Sequence, residues 1–407
     1  MRVLTVATLY PNAAAPVHGI FVENRLRRLV RDEGVEACVV APVPWFPSGA
    51  HAFGRYAAYA RAPREEIRFG IEVCHPRYLV LPKLGMLLSP FSLYGALRAE
   101  ALRLLRSGAE FDLIDAHYLY PDAVAAALLA RSLRLPLAVT ARGSDLTQIA
   151  RGHPIARALV RWAAHEADAV IAVSEGLAEE MAALGIEARR VRVLRNGVDL
   201  SAFRPPGDRA DLRRRLGLAR PTLLCVGHLI RRKAHEIAIG ALRLLPEFDL
   251  LIAGEGPERG RLEDEARRLG VAYRVRFLGV VAHDTLARFY GAADALVLAS
   301  SREGWANVLL EAMACGTPAV ASDIPGTREV LARREGGLLM ATRDAAGAAA
   351  AVRRLFGTPE AARRAAARTY AEGFGWEETS RGQRELFAEI LARRRSAAAG
   401  ALGAAQV

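Results

Sequence analysis

Two carboxylates eight positions apart, Glu303 and Glu311, bracket the start of a helical pattern within Ser300 to Glu329. The apolar run Ala295 to Leu298 reads as a buried parallel strand, and Val308, Leu309, Ala312 and Met313 then recur with helical spacing. Asn307 is the expected N-cap and Gly316 the expected stop. A helix that starts at the carboxyl end of such a strand leaves N–H groups free, here those of Asn307, Val308 and Leu309. In open α/β sheets such starts hold phosphates. Glu303 then lies in the preceding loop, with Gly304, Trp305 and Ala306 leading into the helix. Glu311 lies about one turn inside, and its side chain leans back toward the same ligand. Phosphate on amides and hydroxyls on two carboxylates are the contacts a nucleotide sugar needs. Either acid alone is equally explained as a solvated charge placed for the helix dipole.

A second group of chemically useful residues follows the apolar run Thr222 to Val226, in Gly227-His228-Leu229-Ile230-Arg231-Arg232-Lys233. A flexible glycine and several cations therefore sit at a strand's carboxyl end. Lys233 is one of only two lysines, with Lys83, in a chain that otherwise uses arginine, which suggests a need for a compact charge. Beside a diphosphate it would neutralise the negative charge that develops as a sugar–phosphate bond breaks. Gly254-Glu255-Gly256-Pro257 follows a further apolar run; by itself this is a tight strand-to-helix turn as readily as a ligand loop. In the first half, Gly19 opens a helix where backbone can approach a ligand.

The string from Glu303 through Glu311 to Glu-Ala-Met-Ala-Cys-Gly-Thr-Pro closely resembles the Glu-x7-Glu signature of glycosyltransferase family 4, retaining enzymes of the GT-B fold. The resemblance implies a nucleotide-sugar donor held by Gly227, His228, Arg232, Lys233, Gly254, Gly256, Val280, Glu303 to Leu309 and Glu311, together with Gly19. It implies catalytic roles for His117, Lys233 and Glu303, and acceptor contacts from Arg142 and His18. It implies no metal and no cofactor beyond the donor. Departures are visible. His228 stands where the family has arginine, so a phosphate contact is weakened or passes to Arg231 or Arg232. Asp115 replaces the first histidine of the family's His-x-His, of which His117 matches the second. Arg142 stands at the histidine of His-Gly-Ser/Thr-Asp, and His18-Gly19 replaces two glycines. The segment His18 to Val22 is similar to the teichuronic acid and exopolysaccharide subgroup.

At 407 residues, 52% hydrophobic and 25% charged, the chain can bury two cores. Apolar runs at 3–6, 37–41, 111–114, 137–140 and 169–173 alternate with helical patterns, and a second series begins after Arg204-Pro205-Pro206-Gly207. The fold class is therefore α/β, with two doubly wound Rossmann-like domains. The GT-B resemblance sets them facing each other across a cleft, with a C-terminal helix that crosses back. The expected division is 1–200 for an acceptor domain, 201–375 for a nucleotide-sugar domain, 376–395 for the returning helix and 396–407 for a disordered tail. Asn196-Gly197 reads as a tight turn with positive φ.

The net charge of +12 suits phosphorylated substrates, anionic membranes or nucleic acid, although arginine bias explains part of it. Cys38, Cys74, Cys225 and Cys315 lie far apart without ligand spacing and read as buried thiols in a reducing compartment. No signal-peptide pattern and no membrane-spanning run is apparent, which points to a cytoplasmic protein. Arg25, Arg27, Arg28 and Arg31 on one helix, and Leu87, Leu88, Phe91 and Tyr94 with Lys83, Arg98, Arg103 and Arg106 on another, fit either a membrane-surface helix or a core helix with a solvated basic face.

The resulting expectation is a retaining transferase moving sugar from a nucleoside-diphosphate sugar, a UDP-sugar by family frequency. The acceptor is saccharide or lipid-linked, in cell-envelope or extracellular polysaccharide synthesis at the inner face of the plasma membrane. A GT-B nucleotide-sugar epimerase and a non-catalytic basic module that binds membrane or nucleic acid remain alternatives. The module leaves Glu303 and Glu311 unexplained, and those acids argue against a nucleic-acid partner.

Overall fold

The structure is a computed structural model; it describes residues 1–50, 52, 55–80 and 85–404, the side chains of 55, 85, 86 and 398–404 excepted. Lys83 lies outside the described residues. The chain divides into two compact units, one of residues 1–195 with 377–407 and one of residues 196–376. The boundary thus falls at Arg195, ten residues before Pro205.

The first unit contains strands β1 (Arg2–Val6), β2 (Glu36–Val40), β3 (Val43–Pro44), β4 (Glu65–Arg68), β5 (Ile71–Cys74), β6 (Arg77–Tyr78), β7 (Leu113–His117), β8 (Leu137–Ala141), β9 (Ala169–Ala172) and β10 (Val191–Val193). Eight of them form one sheet in the order β10-β9-β8-β7-β1-β2-β5-β4, while β3 and β6 pair separately. All pairs in the large sheet are parallel except β4 on β5 at its edge. Strands β7, β8 and β9 are buried along their whole length, as helices on both faces of a parallel sheet require. From β1 the chain builds outward to β2 on one side, then returns to place β7 on the other. The crevice between β1 and β7 is therefore the topological switch point.

The second unit holds β11 (Thr222–Val226), β12 (Asp249–Ala253), β13 (Val275–Gly279), β14 (Ala295–Leu298), β15 (Ala319–Ser322) and β16 (Gly337–Met340), in the order β13-β12-β11-β14-β15-β16. Its pairs are parallel, and its switch point lies between β11 and β14. Leu223, Leu250, Ile252, Ala295 and Val297 form the centre of its core with Ile239, Leu242 and Val352 from the helices.

Three expectations need correction. Gly197 does not take positive φ; it is glycine because an added Cβ would stand 2.7 Å from the backbone of Gly375 and Trp376. The final helix, Trp376–Ala404, continues through most of the segment read as a disordered tail, in keeping with the high helix propensity of its alanines. The arginines of helix Ile20–Glu33 do not form a free basic face. Arg25 is buried, Arg27 stacks on the Phe69 ring, and Arg28 and Arg31 pair with Asp32.

Candidate active site

In the second unit, the loops that leave β11 and β14 are adjacent because those strands flank the switch point. They are tied together by backbone: Ser301 N–H donates to the Arg232 carbonyl at 2.9 Å. The Arg232 guanidinium in turn donates to the Arg302 carbonyl at 2.6 Å. The Glu303 carboxylate accepts from Lys233 Nζ at 2.6 Å and from Arg232 Nη1 at 3.2 Å. Burial alone would raise the Glu303 pKa, but the Lys233 and Arg232 charges outweigh it and hold it below the ordinary value. Glycines set the loop positions. A Cβ on Gly326 would meet the Glu303 carbonyl at 2.3 Å, one on Gly254 the Gly227 carbonyl at 2.0 Å, and one on Gly256 the Leu229 carbonyl at 2.4 Å. The Gly-x-Gly turn therefore lets one loop lie directly on the loop that carries Lys233.

The helix after β14 runs Asn307–Ala314 with Ala306, not Asn307, as its N-cap. Asn307 is the first helical residue, and its side chain faces that of Asn196 at 3.4 Å. Trp305, Ala306 and Leu309 are buried, Trp305 against Phe374 with ring centroids 6.3 Å apart, so only their backbone can meet a ligand. Glu311 belongs to a different cluster from Glu303. Tyr290 Oη donates to it at 2.8 Å and His283 Nε2 lies at 3.1 Å. Burial would lower the His283 pKa, but the Glu311 carboxylate outweighs that and raises it. His228 is exposed, its pKa lowered by partial burial and by Arg232 and Lys233. Val280 is exposed at the end of the edge strand β13.

Sequence reasoning missed His235. It is buried one position after Ala234, which takes the left-handed conformation at φ 49. Burial, reinforced by Lys233, lowers its pKa to about 4. The only available signal was its place two residues after Lys233.

The first unit's switch point has a different character. His117 ends β7 buried, with Nε2 3.2 Å from Asp115 Oδ2 and Nδ1 2.7 Å from Arg142 Nη2. A guanidinium can only donate, so Nδ1 accepts and the ring proton sits on Nε2, facing Asp115. Burial lowers the His117 pKa; Asp115 opposes this and Arg142 adds to it. Both ring nitrogens are thus engaged by side chains of the same unit. Asp115 Oδ2 also accepts from Gln383 Nε2 at 3.1 Å, and Gln383 Oε1 accepts from Arg25 Nε at 2.6 Å. The chain Arg25–Gln383–Asp115–His117–Arg142 thus links the first helix, the last helix, β7 and the loop after β8. The Asp145 carboxylate accepts backbone N–H groups, including those of Leu119, Arg142 and Gly143. Asp168 is held by Arg394.

Gly19 takes φ 69, and a Cβ there would lie 2.2 Å from Leu9 backbone, so its small size is required by loop packing. His18 beside it is exposed, its Nε2 3.3 Å from the Thr8 carbonyl. Asp122, a buried acid that sequence reasoning passed over, holds the same loop by accepting from Thr8 Oγ1 at 2.9 Å, and burial raises its pKa to about 7. Among the described residues one group, Glu65, Cys74 and Glu100, has metal-ligand spacing. The Arg103 guanidinium lies among them, 2.7 Å from Glu65, 2.6 Å from Glu100 and 3.5 Å from Cys74 Sγ. All four cysteines are buried and free.

Comparison with known proteins agrees with this geometry. Residues 18–202 match the family described as Glycosyltransferase Family 4, and residues 208–372 match Glycosyl transferases group 1. The chain is 30% identical to D-inositol 3-phosphate glycosyltransferase 1 of Catenulispora acidiphila over 93% of each chain. It is 27% identical to TuaC of Bacillus subtilis, named for teichuronic acid biosynthesis, over 82% of this chain and 84% of that one. Among solved structures, sucrose-phosphate synthase of Thermosynechococcus elongatus superposes with a TM-score of 0.81 at 22% identity, covering 97% of this chain and 100% of that one. Anabaena HepE in complex with UDP-glucose gives 0.72 at 23%, with the same coverage. Two parallel-sheet units, a returning C-terminal helix and a matched sequence over nearly its whole length place this chain in glycosyltransferase family 4, as a glycosyltransferase of the GT-B fold.

Proposed function

We propose that this glycosyltransferase transfers a sugar, with retention of anomeric configuration, from a UDP-sugar to a saccharide or lipid-linked acceptor in cell-envelope or extracellular polysaccharide synthesis. The observation that carries the reading is the Lys233–Glu303 contact at the switch point of the second unit, beside the start of helix Asn307–Ala314. Lys233 and Arg232 are poised for a diphosphate, and the N–H groups at the helix start add donors. Glu303 is held ionised by the same two cations and can accept from sugar hydroxyls once they turn to phosphate. Glu311, backed by Tyr290 and His283, takes the ribose hydroxyls. In this reading the first unit serves the acceptor, with Arg142 and His18 as its ligands.

In the reaction, the bond from the anomeric carbon to the diphosphate oxygen breaks and a bond from that carbon to the acceptor oxygen forms. The hydroxyl proton passes to the departing phosphate. Lys233 and Arg232 stabilise the leaving diphosphate, a task divalent metals perform elsewhere, and no metal is required. The Anabaena protein solved with UDP-glucose supports the choice of donor, and the likeness to TuaC supports the polysaccharide role. A cytoplasmic location, at the inner face of the plasma membrane, follows from that role. No helix among the described residues is long and apolar enough to cross a membrane.

Thermal unfolding with nucleoside diphosphates and their sugars tests the reading, because a specific ligand raises the midpoint by linkage. UDP and a UDP-sugar should stabilise the chain in the presence of a chelator. Stabilisation by a different nucleotide alone would reassign the donor, and strict metal dependence would remove the cationic mechanism. The anomeric configuration of the product, read by NMR, tests retention.

A further inference from the structure

Fifteen large hydrophobic side chains are exposed among the described residues, and nine of them fall between Trp45 and Phe91, all in the first unit. Several of these are held together by the fold. Strand β3 pairs with β6, and the Trp45 N–H donates to the Tyr78 carbonyl at 2.7 Å, which puts Trp45 next to Leu79 and Val80. The Leu79 N–H donates to Ser92 Oγ at 2.9 Å, which brings the first turns of helix Gly85–Arg106 against the same segment. That helix exposes Leu87, Leu88 and Phe91 and buries Leu93 and Leu97, so its outward stripe begins apolar and becomes polar at Arg98. Phe46, beside Trp45, stacks on Tyr56 with centroids 5.5 Å apart. Trp45 and Phe91 are each 53% exposed and Leu79 59%, more than scattered surface hydrophobics need.

The charge around this face is one-sided. Residues 37–64 and 73–99 contain no aspartate or glutamate, although acids make up 44 of the 407 residues, so a stretch of this length would carry about six at average density. Their described cations include Arg61, Arg64 and Arg98, all exposed. Arg61 lies against the loop after Trp45, where a Cβ on Gly49 would be 3.2 Å from its Cγ. Of the acids that flank these segments, Glu65 and Glu100 pair with Arg103 and Glu66 with Arg68 and His75, while Glu36 and Glu72 are exposed on the strands β2 and β5.

We infer that this face of the first unit docks on an anionic lipid bilayer, with Trp45, Leu79, Leu88 and Phe91 entering the interface and Arg61, Arg64 and Arg98 meeting lipid phosphates. The chemistry selects that occupant. Aromatic and aliphatic side chains ringed by cations gain from both the acyl boundary and the negative surface potential. A second copy would bring these arginines against arginines, like charge against like charge. The inference names the surface by which the proposed membrane-side enzyme would reach a lipid-linked acceptor. Its binding test needs no acceptor and no turnover, so it can fail while the transferase reading stands.

The full chain is mixed with vesicles of phosphatidylglycerol or of phosphatidylcholine and separated by flotation, while tryptophan emission is followed. Trp305 and Trp376 are buried and Trp162 is half-buried on helix Pro154–Glu166, so the part of the blue shift that reports docking of this face is the part lost in Trp45→Phe. Wild type should float with phosphatidylglycerol and much less with phosphatidylcholine. Phe91→Ser should weaken partition about tenfold from lost apolar burial, and Arg61→Gln about fivefold from one lost cation. Because these side chains are exposed, unchanged unfolding midpoints should accompany the losses. The inference is overturned if neither vesicle binds, if both bind equally, if Phe91→Ser floats like wild type, or if light scattering shows a dimer that Phe91→Ser dissociates.

Discussion

The two units place polar groups at the same topological point, the carboxyl end of the sheet where the strand order reverses, and treat them in opposite ways. Between β11 and β14 the charges are few, partly open and concentrated on one contact, Lys233 with Glu303. Lys233 and Arg232 keep some exposure, and each can exchange its carboxylate partner for a ligand. Between β1 and β7 the polar groups are sealed. Asp115 and His117 are essentially without exposure, and the returning helix supplies Gln383 as the link to Arg25. An open ion pair can be broken by a ligand at small cost, whereas a sealed network holds its members in one geometry and penalises any missing partner. The first arrangement suits binding and chemistry, and the second suits positioning.

The largest expected effect breaks the sealed network. Asp115→Ala leaves Gln383 and the His117 ring proton without their common acceptor, and the buried Arg25 and Arg142 charges without the carboxylate that offsets them. It should cost about 3 to 5 kcal/mol in urea unfolding of the full chain. A loss comparable to a surface substitution would mean the network is loosely held and the contrast between the units is false. Next, Lys233→Ala should lower kcat at saturating donor roughly a hundredfold or more. Unchanged turnover would remove the open site's proposed role. The smallest effect concerns pH. His235 is buried neutral with its pKa lowered to about 4, so the unfolded state binds a proton more readily and stability falls as pH drops below 6.5. Between pH 6.5 and about pH 5 this group should account for about 1.5 kcal/mol. His235→Asn should flatten that part of the stability profile; an unchanged slope would show that the imidazole behind Lys233 is not held neutral.

How much of each site was legible in the sequence follows from how its residues are spaced. The string from Gly227 to Lys233 and the string from Glu303 to Glu311 each lie on one strand, loop and helix start, so residue order carries most of their arrangement. Yet sequence order placed Glu303 and Glu311 on one ligand, and the structure shows each with its own partners, Lys233 and Arg232 for one and Tyr290 and His283 for the other. A helical period says which face Glu311 occupies. It does not say that the neighbouring helix will present a phenol and an imidazole to that face.

By itself, then, the sequence determined two α/β units, the family signature, the identity of the cations at the second switch point and the acid-free segments of the first unit. These are encoded by residues close together in the chain or by composition. Tertiary structure alone decided that Arg25 is buried rather than lipid-facing, that His117 is committed at both nitrogens, and that the Gly-x-Gly turn lies on the Lys233 loop. Each of these depends on groups far apart in the chain, 358 residues in the case of Arg25 and Gln383, which only the packing of helices on the sheet brings together. Burial and hydrogen-bond partnership are set by what arrives across that distance, and no local pattern records it.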